Sequence, residues 1–114
     1  MPLLSIETNQ TVDDASIAHL LKTSSRMIAE QLGKPESFVM VRFNRNPDML
    51  FAGDDAALVY MELKSIGLPE AGTGELSLLL CNLMEEEINV PRDRVYIEFA
   101  NAPRKLWGWN GGTF

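Results

Sequence analysis

The chain has 114 residues, 46% of them hydrophobic, and a formal net charge of −6 at pH 7. This length and apolar fraction predict one folded domain over residues 1–114 with a modest core, and they argue against disorder. The acidic balance argues against nucleic acid and anionic membrane surfaces as partners.

The first half of the chain is predicted to form a strand, a helix and a second strand. Pro2 to Glu7 is a short strand-like run, and Thr11 to Asp14 supplies an N-cap and acids for a helical first turn. Apolar residues then recur at helical spacing, at Ile17, Leu20, Leu21, Met27, Ile28 and Leu32. Gly33 and Pro35 should end this helix, and Phe38 to Phe43 has the bulky and β-branched residues of a strand.

The second half repeats this order after a polar loop. The predicted segments are a loop at 44–55, a strand at 57–66, a break at 67–69, a helix from about 74 to 89, a strand at 95–99 and a C-terminal tail at 103–114 with one or two short strands. The second helix has one apolar face, formed by Leu76, Leu79, Leu80, Leu83 and Ile88.

The two halves align with each other, although their identity is low. Leu32 to Pro35 falls on Ile88 to Pro91, and Phe38 to Val41 falls on Arg94 to Ile97. We therefore expect an α+β fold of two β-α-β units, with both helices packed on one face of a four-stranded mixed sheet. The other sheet face then has no cover from this chain, and we expect another copy to pack there.

Pro2 is the residue with the most distinctive chemistry. Removal of Met1 would leave a free secondary amine at Pro2, and a model α-amino group has a pKa of about 7.7–8.0. An apolar surrounding or a nearby cation would lower that pKa and leave a neutral amine able to act as a general base. The alternative is that Pro2 only stiffens the start of an edge strand.

The other polar residues suggest neither a metal nor a cofactor. No set of His, Cys, Asp or Glu has metal-site spacing, and Gly72-Thr73-Gly74 lacks the Lys-Ser/Thr of a phosphate-binding loop. His19 is expected at the helix surface or boundary, and Cys81 is expected to be a buried small hydrophobe.

The sequence shows no pattern typical of a disulfide-bonded, secreted or membrane-spanning chain. The single Cys excludes an intrachain disulfide, and Glu7 interrupts an N-terminal apolar run that is too short for a signal peptide. No segment reaches the roughly 18–20 apolar residues of a membrane span. We expect a cytoplasmic protein.

Several short motifs, taken together and in order, give the chain a family resemblance. They are Pro2 before a strand, Gly33-Lys34-Pro35, Lys64-Ser65-Ile66-Gly67, Leu79-Leu80-Cys81-Asn82-Leu83, Asp93-Arg94-Val95-Tyr96-Ile97, and the ending Gly108-Trp109-Asn110 to Thr113-Phe114. Over its whole length the chain resembles the macrophage migration inhibitory factor family of the tautomerase superfamily.

The resemblance implies a homotrimer whose sheets enclose a channel, with active sites between subunits. It implies cofactor-independent keto–enol tautomerisation of phenylpyruvate-like 2-keto acids. The alternative is a non-catalytic, cytokine-like signalling or binding protein, and the family's secreted members, which lack a signal peptide, leave secretion open as well. A third class, hydration-dehalogenation or decarboxylation, would need additional arginines, for which Arg42 and Arg45 are the candidates.

The resemblance also assigns roles to individual residues. Pro2 matches the catalytic base, Lys34 the cation that binds the substrate carboxylate, and Ile66 a position whose backbone N–H and side chain both line the site. Tyr96 matches a tyrosine contributed by the neighbouring subunit, and the remaining wall positions are Phe38, Trp107 and Phe114. From the residues alone, Lys34 is more readily explained as a solvated residue in a helix's last turn, and Tyr96 could equally be a core strand residue.

Departures from the family pattern concern substrate preference more than the Pro2 chemistry. Leu58-Val59-Tyr60-Met61 stands where the best-known members have Cys-Ala-Leu-Cys, so dithiol oxidoreductase chemistry has no basis here. Glu98 places a carboxylate near the expected pocket mouth, where it would repel an anionic substrate or pair with Lys34 or Arg104. Phe38 replaces a tyrosine, and Trp107 replaces a smaller aliphatic residue and narrows the expected entrance.

Overall fold

The computed structural model describes residues 1–114 as two helices packed on a four-stranded sheet, with a small hairpin at the C-terminus. The elements are β1 (Leu3–Thr8), α1 (Asp14–Leu32), β2 (Met40–Arg45), β3 (Val59–Ile66), α2 (Thr73–Ile88), β4 (Val95–Ala102), β5 (Gly108–Trp109) and β6 (Gly112–Thr113). The predicted succession of two β-α-β units is confirmed.

The sheet has the strand order β2-β1-β3-β4. Within each half the two strands are parallel, β1 with β2 and β3 with β4, as the helical crossovers require. The halves meet through the antiparallel pair of β1 and β3, so the sheet is mixed, as expected. The strands of the two halves therefore run in opposite directions, and the first residues of β1 and β3 lie at opposite ends of the sheet.

The core lies between the helices and one face of the sheet. Alternate residues of β1 are buried, Leu4, Ile6 and Thr8, which is the pattern of a strand with one covered face. Helix residues pack against them from above; the fully enclosed ones are Leu20, Ile28, Leu80 and Met84. No helix combines the length and apolar character needed to cross a membrane.

Equivalent features end the two helices. Gly33 and Asn89 both adopt the left-handed conformation, with φ of 61° and 57°, and both donate backbone N–H bonds to the last helical carbonyls. Pro35 and Pro91 follow, and each begins a short 3-10 turn. The aligned sequence halves are thus matched by aligned geometry, which supports the predicted internal repeat.

The predicted strand boundaries needed correction at three places. Phe38 is not in a strand: its N–H bonds to the Pro35 carbonyl oxygen (3.1 Å), so a 3-10 turn occupies 36–38 and β2 begins only at Met40. The strand predicted from Ala57 begins at Val59. The strand predicted to end at Phe99 continues to Ala102, because β3 provides pairing partners along that whole length.

The second sheet face has no cover from the chain, as predicted, but it is largely polar. Its central positions carry hydroxyl, carboxylate and guanidinium groups, on Ser5, Glu7, Arg42, Tyr60, Glu62 and Glu98. Arg42 Nε donates to Ser5 Oγ (2.7 Å), and Lys64 forms an ion pair with Glu62 (3.5 Å). Packing of another copy on this face remains a prediction.

Candidate active site

A pocket of about 370 Å³ lies at the end of the sheet where β1 begins. It is lined by the N-terminal segment, the turn before β2 and the C-terminal hairpin; the residues are Met1, Pro2, Leu3, Ser37, Phe38, Val39, Met40, Trp107, Gly108, Trp109 and Phe114. Pro2, the predicted catalytic base, therefore lies in one pocket with the three predicted wall residues, Phe38, Trp107 and Phe114.

Pro2 is fixed at the base of this pocket. It is less than 2% exposed, and its carbonyl oxygen accepts a hydrogen bond from the Met40 N–H (2.9 Å). Leu3 pairs with Lys64 in the antiparallel register, and continuing that register places Met1 opposite Ile66. The start of β1 thus holds the N-terminus beside the end of β3.

The N-terminal amine lies in surroundings that disfavour its charged form. Burial, and next the positive charge of Lys34, lower the pKa of the Met1 amine from its ordinary value. Lys34 follows the helix cap at Gly33, and its backbone N–H bonds to the Ala29 carbonyl oxygen (3.0 Å). The helix terminus thereby holds the cation near the chain terminus.

Aromatic rings form the outer wall. Phe38 contacts Trp109 and Phe114 edge to face, with centroid separations of 5.3 and 5.8 Å, and these two rings stack on each other at 5.6 Å. The hairpin that carries them turns at Asn110-Gly111, where both residues have positive φ, as type I′ turns require.

Trp109 is a wall residue that the sequence analysis missed. Its signal was present, because Asn-Gly predicts a two-residue hairpin and the strand alternation puts Trp107 and Trp109 on one face. The register confirms this arrangement: Trp109 pairs with Gly112, and the Phe114 N–H bonds to the Trp107 carbonyl oxygen (3.2 Å).

Ile66 occupies the expected place beside the N-terminus but has a buried side chain. It is 5% exposed, ends β3 and pairs in register with Ala102. Within one chain Ile66 is not among the residues that line the pocket, so the predicted lining by its side chain is not found there. Gly67 follows with φ of 68°, a left-handed turn that ends the strand there.

Tyr96 and Glu98 lie away from Pro2 in the same chain. Tyr96 pairs across the sheet with Tyr60, which pairs with Glu7, five residues along β1 from Pro2. At about 3.3 Å per residue this separation is roughly 17 Å along the strand, besides the distance across two strands. Tyr96 can therefore contribute to a Pro2 site only from a second copy of the chain. Glu98 pairs with Glu62, which pairs with Ser5, so it is nearer to Pro2 along the strand but also two strands away.

Tyr96 belongs to a second pocket of about 320 Å³ at the opposite end of the sheet. All of its lining residues are hydrophobic: Met49, Leu50, Phe51, Ala52, Leu58, Val59, Tyr60 and Tyr96. The rings of Phe51 and Tyr96 are 4.5 Å apart, while Leu50 and Tyr96 are 71% and 65% exposed. We call this group the distal apolar patch.

Glu98 has a different partner from those predicted. It accepts a hydrogen bond from the Tyr60 hydroxyl (2.6 Å), which also contacts Glu62 (3.1 Å), and within the chain it forms no ion pair with Lys34 or Arg104. The reason is register, because Glu98 and Glu62 are directly paired and Tyr60 lies next to both. The hydrogen bond to Glu98, then burial, raises the pKa of the Tyr60 hydroxyl far above its ordinary value.

The remaining titratable residues singled out from the sequence have structural positions. Cys81 is buried in α2, and burial raises the pKa of its thiol, which makes it a poor nucleophile, in agreement with its predicted core position. His19 is at the surface, as predicted, where its Nδ1 lies 2.9 Å from Glu87 and links the two helices.

Comparison with known proteins identifies relatives over the whole length of the chain. The family model described as "Macrophage migration inhibitory factor (MIF)" matches residues 1–114. A macrophage migration inhibitory factor homolog of Brugia malayi is 35% identical over 116 residues, covering 100% of this chain and 99% of that protein.

Solved structures agree with this relationship. The homologue from Prochlorococcus marinus has a TM-score of 0.90 and 39% sequence identity, with 98% of both chains covered. The factor from Toxoplasma gondii has a TM-score of 0.93 and 27% identity, covering 98% of this chain and 99% of that one.

Proposed function

Because the chain belongs to the macrophage migration inhibitory factor family, we propose that it is a cofactor-independent keto–enol tautomerase in which Pro2 is the general base. The observation that carries the proposal is the buried Pro2 at the base of an aromatic pocket, where burial and Lys34 lower the pKa of the chain's terminal amine.

The base requires removal of Met1. In the chain as it stands, the Pro2 nitrogen is part of an amide, which is not basic. Once Met1 is removed, the same nitrogen becomes a secondary amine in the pocket that Met1 and Pro2 both line. Burial and the Lys34 charge, which lower the pKa of the Met1 amine, would act on this nitrogen in the same direction and favour its neutral form, the state in which an amine accepts a proton.

The proposed reaction moves one proton within a phenylpyruvate-like 2-keto acid. The Pro2 nitrogen takes a proton from C3, and the electron pair of that C–H bond forms the C2–C3 double bond. The carbonyl π electrons pass to oxygen, giving an enolate, and Pro2 returns the proton to that oxygen to give the enol. The reverse sequence gives the ketone, and no redox partner is needed.

The rest of the pocket matches the other parts of such a substrate. Lys34 is not among the lining residues, but its charge acts on the terminal amine and would offset the carboxylate. The rings of Phe38, Trp107, Trp109 and Phe114 offer an apolar slot for an aryl group. Charge that develops on the carbonyl oxygen needs a hydrogen-bond donor, and the Ile66 backbone N–H or a Tyr96 hydroxyl would serve.

Tyr96 can take that role only in an oligomer. The distal apolar patch is exposed at the far end of the sheet, so a second copy of the chain could place it over the Pro2 pocket. We propose the homotrimer, with each site formed between two subunits, as the working assembly. The small-molecule substrate and other copies of the chain are then its only proposed partners.

The test is phenylpyruvate ketonisation with the N-terminus of each preparation checked by intact mass. Met-free protein should turn over the substrate, and Pro2→Gly should lose most of that activity. Protein that retains Met1 is the matched control, because it keeps every side chain but blocks the amine. Equal turnover with and without Met1 would refute Pro2 as the base; no turnover by Met-free protein would favour a non-catalytic binding role.

A further inference from the structure

Arg94 forms many polar contacts, although it does not line the Pro2 pocket. It lies in the 3-10 turn before β4, and its side chain is only 13% exposed. Nη1 donates to the Phe51 carbonyl oxygen (2.7 Å), and Nη2 donates to the carbonyl oxygens of Ala56 (3.0 Å) and Asp54 (3.3 Å). Nε donates to the Ala57 carbonyl oxygen (3.3 Å), so each guanidinium nitrogen is used.

The segment that Arg94 holds is a strained turn. Phe51 and Asp54 exchange two backbone hydrogen bonds (3.0 and 3.1 Å) around Ala52 and Gly53, which have φ of 54° and 77°. Ala in the left-handed region costs about 1–2 kcal/mol, so this turn needs support from outside. Arg94 provides it through the carbonyl bonds, through an ion pair with Asp54 (2.9 Å) and through its position 5.0 Å from the centroid of the Phe51 ring.

Phe51 connects this turn to Tyr96. The Arg94 guanidinium lies against the Phe51 ring, and the Tyr96 ring is 4.5 Å from Phe51 at an angle of 52°. Tyr96 is otherwise 65% exposed, so Phe51 is the ring contact that limits its orientation within the chain. A fixed aromatic neighbour narrows the range of positions that the Tyr96 hydroxyl can reach.

The internal repeat offers a second, independent observation. Arg94 aligns with Phe38, and Phe38 also holds a tight hairpin against the end of the sheet, through Trp109 and Phe114. Both hairpins turn through two residues of positive φ. The same position in each half therefore supports a pocket-forming hairpin, by ring contacts in one half and by hydrogen bonds in the other.

We propose that Arg94 is a positioning residue for the tautomerase site: by fixing the 51–57 segment and the Phe51 ring, it sets the orientation in which Tyr96 reaches the Pro2 pocket of a neighbouring copy. This inference rests on the proposed function. Arg94 touches neither substrate nor Pro2, and it acts only through Phe51 and Tyr96.

Arg94→Lys is the informative variant, because it keeps the positive charge and much of the stem but cannot reach several carbonyl oxygens at once. We expect kcat/KM for phenylpyruvate to fall by about tenfold, since a displacement of about 1 Å in a positioned group has effects of that order or larger. Arg92→Lys is the matched control, because Arg92 is exposed in the same turn, and it should leave kcat/KM unchanged.

A double-mutant cycle separates positioning from general loss of structure. In a Tyr96→Ala background the effect of Arg94→Lys should vanish, because there is no ring left to position. Full additivity of the two losses would overturn the proposal. The melting temperature of each variant shows whether it is still folded. If Arg94→Lys is unfolded, Phe51→Leu, a less disruptive change, tests the contact from Arg94 through Phe51 to Tyr96 instead.

The ring resonances of Tyr96 in NMR spectra give a readout that does not depend on turnover. Arg94→Lys should shift them in the direction produced by Phe51→Leu, because both changes displace the neighbouring ring. Unmoved resonances would overturn the inference even in an active enzyme. If the wild-type protein has no tautomerase activity but Arg94→Lys still shifts the Tyr96 resonances, the positioning role is supported and the tautomerase proposal is refuted.

Discussion

The terminal amine and Lys34 are coupled through charge. Burial lowers the pKa of the amine, and the Lys34 charge lowers it further, so the neutral form needed for proton abstraction is populated at lower pH than in an ordinary amine. A base of this kind gives a rate that rises with pH and levels off once the amine is deprotonated. The pH at which the rate rises therefore reports the pKa of the amine.

Lys34→Met should therefore have two separable effects in Met-free protein. KM for phenylpyruvate should rise because the carboxylate loses its cation, and the rise of kcat/KM with pH should move to higher pH because the pKa of the amine increases. Steady-state kinetics across pH measure both. Lys22→Met, an exposed lysine of α1, is the matched control and should change neither; an unmoved pH profile in Lys34→Met would contradict the coupling.

At this scale, the chemistry of the residues singled out Pro2, and the family resemblance supplied the wall positions Phe38, Trp107 and Phe114. Pro2, Phe38, Trp107 and Phe114 were assigned from the sequence and do meet in one pocket. Within the chain, Glu98 bonds to Tyr60 and not to Lys34 or Arg104. That bond depends on which residues β3 and β4 bring side by side, and local pattern does not contain this register. The other expectation, that Glu98 repels an anionic substrate, stays a prediction.

Among the elements, the two helix ends form a natural pair for comparison. Gly33 and Asn89 occupy equivalent left-handed positions, but only Gly adopts that conformation without a steric penalty. A Cβ built at Gly33 has no atom within 4 Å, so its substitution acts through the backbone alone.

Asn89→Gly should raise the free energy of unfolding by about 0.5 kcal/mol, and Gly33→Ala should lower it by about 1 kcal/mol. Urea denaturation of both variants beside the parent protein measures the two changes. Gly74→Ala, within α2 and also free of close contacts, controls for glycine replacement in ordinary helix and should be neutral or stabilising. A loss of stability in Asn89→Gly would show that the Asn side chain contributes to the cap.

Helix boundaries were predicted more accurately than strand boundaries. The helix signals are local, in the caps and in Pro35 and Pro91, and the structure agrees with them closely. The start of β2 was misplaced because Phe38 has strand-like character by itself, whereas its 3-10 turn is set by the preceding proline. The end of β4 depends on β3, a partner far away in the sequence.

For the whole molecule, the distal apolar patch has the features of a contact between copies. Leu50 and Tyr96 are large apolar residues left exposed at one end of the sheet, while the Pro2 pocket at the other end lacks the tyrosine expected to complete it. Assembly would resolve both features at once. Neither could be inferred from composition, because each depends on which end of the sheet a residue occupies.

Leu50→Glu should weaken the assembly and make turnover dependent on protein concentration, since an active site shared by two subunits is lost on dissociation. Sedimentation velocity and activity over the same concentration range test this together. Leu78→Glu adds the same charge at an exposed leucine of α2 and should leave assembly intact. A fully assembled, fully active Leu50→Glu protein would place the shared interface elsewhere.

The internal repeat limits how many reactive amines one polypeptide can hold. The pockets at opposite ends of the sheet are built alike, but the position aligned with Pro2 in the second half is Leu58, which is buried to a similar degree. A side chain can be copied when a segment is duplicated within one chain, but a terminal amine cannot, because a continuous polypeptide has a single N-terminus. The second half therefore cannot carry a terminal amine as a base, and its apolar pocket is available for binding another molecule.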